Sequence, residues 1–166
     1  MDVAGLLVDA FGRIREEVRG VLDGTPRAVL TYRPDPDANS IAWLVWHLTR
    51  IQDDHVADAM GVDQLYVVGD WAARFGLKAD PSDTGYAHDA AQVAAVAPES
   101  PAALEEYYRA VHERTMGFVA GLTAADLDRV VDEAWDPPVT LGVRLVSVVN
   151  DDAQHAGQAA YVRGLL

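Results

Sequence analysis

The chain has 166 residues, of which 50% are hydrophobic and 23% are charged, and this apolar content excludes disorder and fits one globular domain over residues 1–166. The formal net charge of -13 argues against a nucleic-acid partner, because phosphate binding requires a basic patch and the 13 lysines and arginines are scattered. The absence of cysteine excludes disulfides, thiolate ligands and a cysteine nucleophile, so any metal ion would be held by histidine or carboxylate side chains.

The first segment predicts an amphipathic helix over residues 3–22, because apolar residues recur at helical spacing with acids and arginines between them. This mixture differs from the basic and then apolar pattern of a signal peptide. The sequence also contains no run of about 18 apolar residues, which is the length needed to cross a membrane. We therefore expect a cytoplasmic protein without a membrane partner. Residues 33–40, rich in proline and aspartate, then predict a loop.

A second long helix is predicted to start at Asn39 or Ser40, either of which can cap it, and to end at Met60. Its first half, IAWLVWHL, is apolar on nearly every side, as is typical of a helix in a bundle interior. We therefore expect His47 to be buried or to lie at the floor of a cleft. The more polar second half is predicted to emerge toward solvent, with Asp54 two turns from His47 on the same face.

The connection over residues 62–97 is long and only weakly patterned. The sequence QLYVVGDWAARFGL predicts one short helix, KADPSDTGYAHD predicts a loop, and another short helical piece follows through Ala97. Such a connection is either a functional lid or a cover for the bundle. If it is a lid, its aromatic and polar groups would be Tyr66, Trp71, Tyr86 and His88.

Ser100 caps a third long helix that is predicted to run to about Leu122, with a proline at its first position, where the missing N–H costs nothing. The spacing of its apolar residues places His112 and Glu113 on the outside. The TAAD sequence that follows resembles a capping box and predicts a short helix to about Val131.

The last stretch predicts one long helix from a cap at Thr140 to the end of the sequence. Its small and apolar residues form a predicted packing face: Gly142, Leu145, Val146, Val149, Ala153, Ala156 and Ala160. A neighbouring stripe is polar: Arg144, Ser147, Asp151, Gln154, His155 and Gln158. Asp151 and His155 are four residues apart and could reach one ion, although a polar stripe usually marks a solvent-facing side.

Four long helices without hairpin, heptad or repeat signals predict an all-α bundle with crossover connections. If the bundle brings His47 to Asp151 and His155, these side chains would form a set of two imidazoles and one carboxylate. Three protein ligands leave coordination positions open, as catalytic metal sites do, whereas structural zinc sites are closed by four. The alternative is a hydrogen-bonded core histidine and an unrelated pair on the surface.

The segments at 39–55, 83–93 and 135–166, with W-H-L on the second long helix and H-x-G-Q on the last, resemble the DinB-like superfamily. They are more similar to its actinobacterial branch, which includes mycothiol-dependent maleylpyruvate isomerase and mycothiol S-transferases. The resemblance implies a four-helix bundle, a frequent homodimer, and a divalent metal held by His47, Asp151 and His155. Asp151 departs from the histidine or glutamate that relatives carry there.

The resemblance also implies an activity: zinc or nickel would bind the sulfur of a low-molecular-weight thiol such as mycothiol, which would then attack an electrophilic small molecule. Arg144 could hold an anionic group of either substrate or be a surface arginine. Asp54 and Gln158 could orient His47 and His155, or be merely solvated. His88 is the alternative ligand. A metal-dependent hydrolase and a non-catalytic metal-binding stress protein remain the other two functional hypotheses.

Overall fold

Four long and four short helices make up most of the chain in a computed structural model that describes residues 1–166. In chain order the helices are α1 (Val3–Leu22), α2 (Arg27–Leu30), α3 (Ile41–Met60), α4 (Leu65–Val68), α5 (Trp71–Arg74), α6 (Ala90–Ala95), α7 (Pro101–Val119) and α8 (Leu141–Gly164). The long helices form a ring in which α8 and α7 each pack against both α1 and α3. The predicted all-α bundle with crossover connections is therefore confirmed. None of the helices combines the length and apolar composition needed to span a bilayer.

The long helices begin where the sequence predicted caps. The side chains of Ser40, Ser100 and Thr140 each accept a hydrogen bond from the backbone N–H three residues later. Gly61, with a φ of 69°, ends α3 in the left-handed conformation that glycine adopts without strain. α7 ends three residues before the predicted Leu122.

A short antiparallel pairing between β1 (Val130–Asp132) and β2 (Val139–Thr140) precedes α8 and was not predicted. The helix predicted to reach Val131 is limited to a single 3-10 turn at Ala125–Asp128. The sequence contains no signal for the strand pair, because the six residues between the strands, 133–138, contain two prolines and lack the two-residue turn that marks most hairpins.

The connection between α3 and α7 covers the second half of α3. Gln52 and Asp53 are fully buried, although the sequence predicted that this half emerges toward solvent. Arg50 donates to the carbonyl oxygens of Pro81 and Asp83 at 3.1 and 3.0 Å. Asp53 accepts from two backbone N–H groups of α4 at 3.0 and 2.8 Å. Arg50 and Asp53 form a buried ion pair, with their nearest atoms 3.7 Å apart, and together they hold the connection against the bundle.

Within this connection the single predicted helix is two separate turns, α4 and α5, because Gly69 and Asp70 interrupt it. Tyr66 is fully buried and Trp71 packs against the core, so both cover the bundle. Tyr86 is 88% exposed. The connection is therefore mainly a cover, whereas the side chain of Tyr86 projects into solvent.

Two side-chain placements differ from the sequence prediction. His112 is buried rather than outside, because α1 covers that side of α7, and its ring stacks on Tyr108 at 5.8 Å. Burial lowers the pKa of His112 to about 4. The packing face of α8 is also rotated: Val146 is 65% exposed, and the buried residues are Leu141, Leu145, Val148, Asp152, Ala156, Ala159 and Val162.

Candidate metal centre

The packing of α3 against α8 brings the three predicted ligands together. His47 projects from α3, and Asp151 and His155 project from successive turns of α8. One ligand atom from each side chain can be chosen so that all three lie within 4.8 Å of one another. Nε2 of His47 is 3.9 Å from Oδ2 of Asp151, and Nε2 of His155 is 3.6 Å from Oδ1 of the same carboxylate.

Hydrogen bonds at the far side of each ring orient the two imidazoles. Nδ1 of His47 lies 2.5 Å from the carbonyl oxygen of Thr84, and Nδ1 of His155 lies 2.8 Å from Oε1 of Gln158. Both partners are acceptors, so each Nδ1 carries the proton and donates it. Each Nε2 therefore presents its lone pair to the carboxylate of Asp151, which is the arrangement that metal-binding histidines require.

Burial supports the neutral form of His47, whose side chain is 7% exposed. Burial lowers the pKa of His47 below its ordinary value of 6.5, and the nearby His155 acts in the same direction. The hydrogen bond to Thr84 and the charge of Asp151 oppose this shift. The net direction favours an unprotonated ring, which can bind a cation.

The carboxylate of Asp151 lacks a hydrogen-bond donor or cation at one of its oxygens. Its Oδ2 atom is buried and has no hydrogen-bond partner, while both neighbouring imidazoles turn lone pairs toward it. Leaving a buried acceptor unpaired is costly, and a cation between the three groups would satisfy it. Two imidazole nitrogens and one carboxylate oxygen suit zinc, nickel and similar divalent ions, so the residues present fit such a metal.

Trp43 forms a wall of the site. Its ring stacks on His47 with centroids 4.6 Å apart and meets His155 edge-on at 6.1 Å. Its Nε1 donates to Nδ1 of His88 at 3.1 Å, and Nε2 of His88 lies 2.9 Å from Oδ1 of Asp83. Both nitrogens of His88 are occupied, so it supports the wall and is not placed as the alternative ligand. Sequence reasoning missed Trp43, although its position one turn before His47 on the same helix face was a usable signal.

Of the two side chains predicted to orient the histidines, only one does so. Gln158 holds His155, but the partner of His47 is the carbonyl of Thr84. Asp54 instead accepts a hydrogen bond from Gln64 at 2.6 Å. Although it shares a helix face with His47, seven residues of helix separate the two by about 10 Å along the axis.

Arg144 makes contacts that the sequence did not predict. Its guanidinium lies 3.1 Å from Asp132 and 3.4 Å from Asp58, and it is 3.0 Å from Nδ1 of His55. Arg144 therefore links α8 to α3 and β1. Binding an anionic substrate group would require it to leave these partners.

The segment that carries Thr84 approaches α3 so closely that residue 85 must be glycine. A Cβ atom at Gly85 would lie 2.9 Å from Nδ1 of His47 and 2.9 Å from Cζ3 of Trp46. The backbone there also has a φ of 91°, which residues with side chains rarely adopt. The absence of a side chain thus permits the hydrogen bond that orients His47.

We expect Gly85→Ala to weaken divalent-metal binding roughly tenfold, because the added methyl group displaces the carbonyl that orients a ligand. Metal affinity is measured by competition with a chromophoric chelator. Gly61→Ala is the matched control, because Gly61 also has a positive φ, of 69°, but nothing lies within 4 Å of its added Cβ. Gly61→Ala should cost about 1 kcal/mol of stability and leave metal affinity unchanged. Equal metal affinity in both variants would contradict the role given to Gly85.

Comparison with known proteins agrees with this architecture. The sequence profile of the DinB superfamily matches residues 10–159, which include all three candidate ligands. A solved structure, described as the crystal structure of the conserved protein of locus from Enterococcus faecalis, is similar with a TM-score of 0.89 and 29% sequence identity. The alignment covers 98% of this chain and 96% of that one. No curated protein matches the sequence. The chain belongs to the DinB superfamily.

Proposed function

We propose that the protein is a divalent-metal-dependent transferase that adds a low-molecular-weight thiol, such as mycothiol, to an electrophilic small molecule. The observation that carries the proposal is a cluster of three oriented donor side chains with an unpaired, buried Asp151 oxygen, in a chain without cysteine. Three ligands leave a position for an exogenous group. Because the chain has no thiol of its own, a sulfur nucleophile would come from a second substrate.

His47 and His155 would hold zinc or nickel through Nε2, and Asp151 would hold it through its carboxylate. A bound divalent cation supplies the positive charge that stabilises a thiolate at neutral pH. The three side chains together carry one negative charge when both rings are neutral, so they neutralise only half the charge of the cation. The remaining charge favours an anionic sulfur over a neutral ligand.

The exposure of the three side chains indicates the direction from which substrates would approach. The side chain of His47 is 7% exposed, that of His155 is 19% exposed and that of Asp151 is 32% exposed. Trp43 covers a face of the His47 ring and excludes water from that side. Thiol and electrophile would therefore enter along α8. In the transfer, sulfur forms a bond to the electrophilic carbon, the leaving group departs with its bonding pair, and the thiol proton passes to solvent.

The experiment compares metal-replete and metal-free protein with a chloro-nitroaromatic as a general electrophile, in the presence of mycothiol or of glutathione. The proposal predicts chloride release that requires both the metal and a thiol. Cleavage of a nitrophenyl ester without thiol would instead support a metal-dependent hydrolase. Neither activity in protein that contains one metal ion per chain would favour a non-catalytic metal-binding role.

A further inference from the structure

A cavity lies between α1 and α7, on the opposite side of the ring of helices from the metal centre. It has a volume of about 290 Å³. Arg15 and Arg19 of α1 and Arg109 of α7 line it, together with Tyr108, Glu105 and two apolar residues of α1. Three solvent-exposed arginines therefore line one small space in a chain whose net charge is -13.

The arginines of this cavity differ from most of the others in lacking partners. Five of the twelve arginines form ion pairs with carboxylates: Arg13, Arg50, Arg74, Arg114 and Arg144. Three more donate to backbone carbonyls: Arg27, Arg33 and Arg129. Only Arg15, Arg19, Arg109 and Arg163 make neither contact. Three of these four line the cavity, although the chain has twice as many acidic residues as basic ones.

Tyr108 lines the cavity, but its hydroxyl lies near the buried Asp152 of α8. The residue is 3% exposed, and its hydroxyl is shielded from solvent without a hydrogen-bond partner. Burial and the neighbouring Asp152 raise the pKa of Tyr108, so the hydroxyl keeps its proton. Tyr108 therefore forms a neutral part of the wall, and the charge of the cavity comes from the three arginines and Glu105.

We propose that this cavity binds a small organic anion, whose carboxylate or phosphate group pairs with the guanidinium groups of Arg15, Arg19 and Arg109. Arginine is suited to both anions because its planar fork donates two parallel hydrogen bonds. Val18 and Leu22 also line the cavity and would contact a short apolar portion of the ligand. The volume suits a ligand at the small end of the usual range. This site is independent of the proposed thiol chemistry.

The test is calorimetric titration of the full chain with inorganic phosphate and, separately, with butyrate, a carboxylate with a short apolar tail. We expect saturable binding of at least one probe with one ligand per chain. Arg15→Gln and Arg109→Gln should each weaken it roughly tenfold or more, because each removes a charge-assisted hydrogen bond. Tighter phosphate binding would indicate a phosphorylated ligand, and tighter butyrate binding an organic acid.

Arg163→Gln is the matched control, because Arg163 also lacks a partner but lies beside Glu16 and Glu17 in a different groove. It should change affinity by less than about twofold, since screening leaves little long-range effect of one surface charge. Helical content measured by circular dichroism verifies that each variant is folded. The proposal is overturned if neither probe binds at millimolar concentration, or if Arg163→Gln weakens binding as much as Arg15→Gln.

Discussion

His47→Ala and His155→Ala each lose most of the bound divalent metal, while the helical bundle stays folded. Each substitution removes one of three protein ligands and leaves two, which hold a divalent cation poorly. Loss of a group that merely orients a ligand costs up to about a hundredfold in metal affinity, so loss of a ligand should cost at least that much. Elemental analysis after dialysis measures the metal that each variant retains.

His55→Ala is the control for this experiment. His55 lies on the same helix as His47, but its Nδ1 contacts Arg144 at 3.0 Å and Asp54 at 3.5 Å, outside the cluster of three. It should retain the metal content of the unsubstituted protein. Circular dichroism separates loss of metal from loss of fold. Undiminished metal in both His47→Ala and His155→Ala would show that these side chains are not the ligands.

Arg50→Met destabilises the protein by about 3 kcal/mol, because it removes the fully buried one of the two cations beside the buried carboxylate of Asp53. The effect should stay near the lower end of the usual range, since Arg114 remains 3.7 Å from Asp53 and its hydrogen bonds persist. The substitution also frees the carbonyl groups of Pro81 and Asp83, which lie three residues and one residue before Thr84. Metal affinity should therefore fall together with the free energy of unfolding, which urea denaturation measures.

Arg74→Met provides the comparison, because Arg74 forms two ion pairs, with Glu99 and Glu106, at the surface. Exposed ion pairs contribute little, so this change should cost less than about 1 kcal/mol and leave metal affinity unaltered. A similar stability loss in both variants would contradict the importance of the buried pair. An Arg50→Met protein that binds metal with full affinity would contradict the link from Arg50 to His47.

The sequence predicts the long helices well because their signals are local. Ser40, Ser100 and Thr140 act through the three residues that follow each cap, and apolar spacing identifies the bundle helices without knowledge of their neighbours. The same applies to half of the candidate site: Asp151 and His155 share a face because they lie four residues apart on one helix. Burial of His47 follows from the apolar residues around it on α3.

The features that the sequence does not predict depend on contacts between distant segments. Thr84 orients His47 through a backbone carbonyl, which every residue possesses, so its identity carries no signal. Arg50 and Asp53 resemble ordinary surface residues until the connection beyond α3 covers them. The buried face of α8 depends on where α1 and α3 lie around it, so Val146 is exposed and Asp152 is buried, the reverse of what their hydropathies indicate.

The most direct test asks whether His47, Asp151 and His155 bind a cation and leave room for sulfur. The cobalt(II)-loaded protein is titrated with a thiol, and binding is followed by near-ultraviolet absorption. Because the chain contains no cysteine, any sulfur-to-cobalt charge-transfer band must come from the added thiol. We predict a band that saturates with the thiol and is missing in His155→Ala. A protein that binds one cobalt ion per chain but whose spectrum does not change at saturating thiol would contradict the proposed site.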